Sequence, residues 1–119
     1  IMDGLYCLNG IVVPYYDNAS DLEKEWWDRF RDTYDYEPNS GAIYGYIYAD
    51  IFIEAIKRAG KDLNVESFVN AMESLNNYED PLKLGSVTFN ANQRQGSNIS
   101  YFFKVQDGRF EVISGPINY

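Results

Sequence analysis

The sequence predicts an α/β fold of one strand, three helices and a C-terminal pair of strands closed by a hairpin. Three observations carry this. Gly10 to Tyr15 is a β-branched run stopped by a proline, apolar residues between Asp21 and Leu75 recur at helical spacing, and after Pro81 the period changes to two.

The run Gly10-Ile11-Val12-Val13-Pro14-Tyr15, followed by Asp17-Asn18, reads as a buried strand leaving its sheet, with Pro14 ending the ladder because it has no N–H to donate. Ser20 with Glu23 three residues on is a capping box, so a first helix starts there and runs to about Tyr34. Leu22, Trp26, Phe30 and Thr33 or Tyr34 form its packed stripe, and Trp27 lies off it. Pro38-Asn39-Ser40-Gly41 punctuates the chain before a second helix from about Ala42 to Ala59, roughly 27 Å long. Gly60 stands where a left-handed residue ends it. Ile43, Tyr44, Tyr46, Ile47, Tyr48, Ile51, Phe52, Ile53 and Ile56 point nearly all round this helix, which therefore needs covering elements on more than one side. Asn64 caps a third helix, Val65 to about Leu75. Ser86 to Phe89 reads as a short strand, residues 90–98 as a polar turn, and Ile99 to Val105 with Arg109 to Ile113 as strands joined at Asp107-Gly108. The tail from Ser114 to Tyr119 carries no usable pattern, and there is no internal repeat.

Composition excludes several function classes. The 119 residues suit one ordinary domain. Ten basic against 18 acidic residues give a net charge of −8, which repels nucleic-acid phosphates and anionic lipid surfaces. With no histidine and Cys7 as the single cysteine, the usual zinc and triad chemistries lack their commonest residue and no intrachain disulfide can form. Asp17, Asp21, Asp50 and Glu54 have no partner nucleophile, and Asp50 with Glu54, a like-charge i, i+4 pair, reads as structural or solvated. Asn90-x-Asn92-x-x-x-Gly96 lacks the carboxylates of a calcium loop and reads as a turn. No enzyme, metal site or cofactor is expected. The apolar stretch around Ile47 to Ile56 is interrupted by Asp50 and Glu54 and falls short of a membrane span. The Ile1-Met2-Asp3 start has no basic region followed by an apolar one, and reads as a cut end.

Tyr46-Ile47-Tyr48-Ala49 followed by Glu54-Ala55-Ile56-Lys57-Arg58-Ala59-Gly60 resembles the long helix of type I periplasmic solute-binding proteins, the receptors of branched-chain-amino-acid-type ABC importers. The order of parts around it is also similar: the strand at residues 10–15, Phe30-x-x-x-Tyr34, Pro38 to Ala42, the helix from Val65, Gly85-x-Val87-x-Phe89, and Val105-x-Asp107-Gly108-x-Phe110. The resemblance implies part of a two-lobed fold about three times this length, contributing to both lobes. Residues 1–16 would be a lobe-two strand and hinge crossover, 17–84 a helical segment of lobe one, and 85–119 the closing strands of lobe two.

The implied role is an extracytoplasmic protein, periplasmic or extracellular, that captures a small solute, an amino acid or related carboxylate, by lobe closure and presents it to an ABC permease. A ligand-sensing receptor ectodomain and a carbohydrate-binding module are the alternatives. The resemblance also implies that the sheet covering the long helix is encoded upstream, so that the segment alone would self-associate, swap elements or expose that surface. Ile43, three residues before the matching tyrosine, is a candidate to line the cleft, with simple core packing as its other reading. Tyr46 stands likewise between ligand contact and a packed ring. Tyr15 and Tyr16 follow the strand where open α/β sheets place ligands, and because neighbouring side chains diverge only one of them is expected to face the cleft.

Overall fold

The structure is a computed structural model, and it describes residues 2–118. Ile1 of the chain start and Tyr119 of the tail lie outside the described residues. The elements are β1 (Tyr6–Asn9), a 3-10 turn (Tyr16–Asn18), α1 (Asp21–Tyr34), α2 (Ser40–Ala59), α3 (Val65–Glu73), β2 (Tyr78–Glu79), β3 (Ser86–Val87), β4 (Ile99–Gln106) and β5 (Arg109–Asn118).

Local chemistry sets the helix ends. Ser20 Oγ accepts from the Glu23 N–H while Glu23 returns a bond to the Ser20 N–H, closing the capping box that starts α1. Asn39 Oδ1 accepts from the Ala42 N–H at 3.0 Å, so α2 begins at Ser40, two residues before the expected start. Asn64 caps α3 through the Ser67 N–H. That helix stops at Glu73, short of the expected Leu75, because the Ser74 hydroxyl bonds back to the Ala71 carbonyl and tightens the last turn.

The strand expected at residues 10–15 is not one. The ladder runs over Tyr6–Asn9, paired antiparallel with β4, and the chain leaves the sheet at Gly10. Its β-branched residues serve packing instead: Ile11 is buried in the helical core and Val13 packs against it, while Pro14 has no N–H for any ladder. Ser86–Val87 does form a strand, but it pairs with Tyr78–Glu79, a two-residue element too short to show a period. Thr88 and Phe89 leave that ladder, their N–H groups donating to the Gly96 and Leu75 carbonyls. The β4–β5 hairpin turns at Asp107 and Gly108, with φ of 51° and 76°, the two positive values that a tight two-residue turn requires. Past an irregularity at Phe102, β5 continues to Asn118, so residues expected to be patternless pair with Ser100 and Ile99.

These elements form two bodies. One is helical: Ile11, Trp26, Ile43, Ile47, Ile51, Leu75 and Leu82 make its core, and the β2–β3 pair packs on it. The other is the antiparallel sheet β1-β4-β5, in which Phe103 and Val105 are buried. Among the described residues no helix packs backbone to backbone against that sheet, and residues 10–20 and 88–98 connect the bodies. The radius of gyration is accordingly 16.5 Å, against about 13.5 Å for a compact chain of this length.

Candidate functional site at the junction of helices and sheet

Where the two bodies meet there is a cavity of about 600 Å³. The sheet and the residue before it contribute Leu5, Cys7, Leu8, Asn9, Phe103 and Phe110, the crossover contributes Val13 to Tyr15, α1 contributes Trp27, and the segment leading into α2 contributes Pro38 to Ser40. On β1 the alternation of a strand leaves Cys7 and Asn9 half-buried, whereas Tyr6 and Leu8 are exposed, Leu8 at the rim of the cavity. The wall is therefore mostly aromatic and aliphatic, with a few polar groups.

Those polar groups are held in place. Asn9 Oδ1 accepts from the Gly10 N–H at 3.0 Å and from the Tyr44 hydroxyl of α2, joining the sheet to the helical body at the cavity's edge. Burial raises the Tyr44 phenol above its ordinary value of 10.0, so it stays a donor there. Trp27 is fixed by its indole N–H, which donates to Glu37 Oε2 at 2.6 Å. Glu37 also accepts from Arg31 at 3.1 Å, and the Trp27 and Arg31 bonds together hold its carboxyl below the usual 4.5.

The four residues singled out from sequence are dispersed. Tyr15 is half-buried and lines the cavity. Tyr16 turns away: its hydroxyl donates to Asp28 Oδ2 at 3.1 Å and its ring meets Trp27 edge-on. Ile43 is 2% exposed within the helical core. Tyr46 packs on Trp26 with centroids 5.3 Å apart and borders a separate shallow groove with Phe30. Sequence reasoning missed Trp27, Phe103 and Phe110 as wall residues. The available signal was the position of Trp27 off the apolar stripe of its helix.

A second cavity, of about 560 Å³, lies against Tyr44, Tyr48 and Phe52 of α2 and Phe68 of α3. Tyr48 is 63% exposed and Phe52 54%, and Ile53 beside them is 48%. This is the all-round apolar helix showing an uncovered packing face, rather than a walled site. Asp50 and Glu54 on the same helix have structural partners, the Tyr78 hydroxyl at 2.6 Å and Arg58 at 2.8 Å.

The junction cavity can enclose a small molecule between two bodies, and it contains no paired nucleophile and base. Among the described residues no group of His, Cys, Asp or Glu could hold a metal ion, and no helix is long and apolar enough to cross a membrane. The family model for periplasmic binding proteins matches residues 2–109, and the chain belongs to that family.

Solved structures agree on the fold. A branched-chain amino acid ABC transporter protein from Thermus thermophilus with bound valine superimposes with a TM-score of 0.78 at 19% identity, covering 99% of this chain and 34% of that one. A possible leucine/isoleucine/valine-binding protein from Rhodopirellula baltica SH 1 gives 0.71 at 23%, covering 95% and 30%. An ABC transporter substrate-binding protein from Desulfitobacterium hafniense in complex with Leu gives 0.66 at 22%, covering 94% and 32%. The chain thus spans about a third of the length of these structures. No curated protein matches it.

Proposed function

We propose that the chain serves as one part of a two-lobed solute-binding protein that captures a small amino acid or related carboxylate outside the cytoplasmic membrane and delivers it to an ABC permease, without catalysis. The observation that carries this reading is the family match over residues 2–109, joined to a cavity whose walls come from both bodies. In this reading the sheet β1-β4-β5 belongs to one lobe and the helices to the other, with residues 10–20 as a hinge crossover. Tyr15, which lines the cavity, contacts the solute, and Trp27 joins it there. Ile43 and Tyr46 act through packing, with Ile43 setting the position of the α2 start. A mostly apolar wall suits an aliphatic or aromatic portion of the solute, desolvated on closure. The sensing and carbohydrate readings gain no support from the family match.

The test is thermal-shift screening of the full-length protein containing this segment with amino acids, aliphatic and aromatic carboxylates, and sugars. A solute at a hundred times its Kd stabilises by about 2.7 kcal/mol, a readable rise in midpoint. Midpoint shifts with an amino acid or carboxylate support the proposal. Shifts with sugars alone, or with nothing, overturn it.

A further inference from the structure

The crossover tripeptide Tyr15-Tyr16-Asp17 touches both bodies at once. Toward the sheet, the Phe110 N–H donates to the Tyr15 hydroxyl at 2.7 Å, Arg109 donates to Asp17 Oδ2 at 2.7 Å, and the Arg109 guanidinium lies over the Tyr15 ring at 4.7 Å. Toward the helices, Tyr16 donates to Asp28, meets Trp27 edge-on, and carries the Arg31 guanidinium 5.4 Å from its ring centroid. The tight turn that splays these neighbours apart is itself closed: the Tyr15 N–H donates to Asn18 Oδ1 at 2.8 Å, and the Asn18 N–H donates to the Tyr15 carbonyl at 3.0 Å.

Among the described residues no helix packs backbone to backbone against the sheet, so these contacts, together with the Tyr44–Asn9 hydrogen bond, act where the relative angle of the two bodies is set. An exposed ion pair such as Arg109 with Asp17 contributes little when isolated. Here it converges with a backbone hydrogen bond and a cation–π contact on one three-residue segment whose middle member is seated on the other body. Of the three side chains, Tyr15 also forms a wall of the junction cavity, so the angle between the bodies and the shape of the cavity are coupled.

We infer that Tyr15-Tyr16-Asp17 is a two-sided linkage that sets the angle between the helical body and the sheet, with residues 15 and 17 clasping the start of β5 and residue 16 seated on α1. The linkage sets the angle of the solute-free protein, so it stands apart from the identity of the solute.

The experiment is pulsed dipolar spectroscopy of the full-length protein without solute, with nitroxides at Glu66→Cys on α3 and Ser114→Cys on β5 in a cysteine-free background. The unaltered linkage gives a narrow distance distribution. Tyr15→Phe, Tyr16→Phe and Arg109→Gln each lose that narrowness, and Tyr15→Phe also loses exchange protection at the Phe110 amide. The exchanged pair Asp17→Arg with Arg109→Asp regains the narrow distribution. Arg94→Gln, which breaks an ion pair to Glu73 on α3, leaves it unchanged. Tyr15→Phe keeps the ring and its packing, so it reads the clasp even where a larger change prevents folding. Distributions as narrow in Tyr15→Phe, Tyr16→Phe and Arg109→Gln as in the parent overturn the inference.

Discussion

The Tyr78 hydroxyl donates to Asp50 Oδ2 at 2.6 Å, bonding β2 to the middle of α2 across 28 positions of sequence. Arg58 lies 5.8 Å from the same ring and donates onward to the Ser74 carbonyl at 3.0 Å. A carboxylate that would be a liability on an apolar helix thereby becomes the acceptor that docks a hairpin.

Removing that hydroxyl tests the docking. Tyr78→Phe should lower stability by about 1–2 kcal/mol, as expected for a hydrogen bond to a charged acceptor. Burial first, and the Asp50 bond second, raise the Tyr78 phenol above its ordinary 10.0, so its contribution is fully present below pH 10 and is lost as pH rises beyond that. Chemical denaturation at pH 8 and pH 11 should show a steeper alkaline loss for the parent than for Tyr78→Phe.

Asp80 is a buried side chain whose two oxygens accept from the Leu82 and Gly85 N–H groups, each at 2.9 Å, closing the loop between β2 and β3. Asp80→Ala leaves both donors without that acceptor and should cost roughly 2–3 kcal/mol. Asp80→Asn, which keeps one carbonyl oxygen, should cost less. A urea titration of the three proteins orders them.

Leu75 and Ile43 are the largest fully buried side chains. Leu75→Ala and Ile43→Ala should each destabilise by about 2–5 kcal/mol through lost burial and a residual cavity. Ile43→Val should cost about 1 kcal/mol and leave solute affinity nearly unchanged if Ile43 acts through packing. Calorimetric titration beside thermal unfolding separates the two roles, and a large affinity loss at unchanged stability would assign Ile43 to the solute.

The Asp17 contact has its own pH window. Its hydrogen bond to Arg109 holds the Asp17 carboxyl below the ordinary 3.8, so the contact is present above that pH and is lost as pH falls through the lowered value. Lowering the pH from 7 to 5 should therefore leave it intact, and raised salt should weaken it because both side chains are exposed. Scattering profiles of the solute-free protein across these conditions give the comparison.

Expressed as the 119-residue segment, the chain presents Tyr48, Phe52 and Ile53 to solvent. It should associate in a concentration-dependent manner, and Tyr48→Lys with Phe52→Lys should reduce that association. Light scattering behind size exclusion measures both.

Local chemistry was legible without coordinates wherever it depends on residues a few positions apart. Ser20 with Glu23, Asn64 and Asp107-Gly108 each marked an element end that the structure reproduces, because caps and tight turns satisfy their own backbone groups. The excess of apolar surface on α2 was likewise plain from its sequence, and Tyr48 and Phe52 are exposed as that excess requires.

What only the tertiary structure decided was partnership. The β-branched run at residues 10–15 has the composition of a strand, yet its ladder position went to Tyr6–Asn9 because β4 lies beside those residues. Tyr15 and Tyr16 are indistinguishable by residue type, and their roles diverge because one meets the β5 backbone and the other meets Asp28 of α1. Trp27 became a cavity wall through Glu37, ten residues away, and the sheet that faces it. By itself the sequence determined the three helices, the N-caps of α1 and α3, the closing hairpin and the family, since these rest on short-range periodicity and order. The cavity and the linkage beside it depend on contacts between residues some 90 positions apart, which no local pattern encodes.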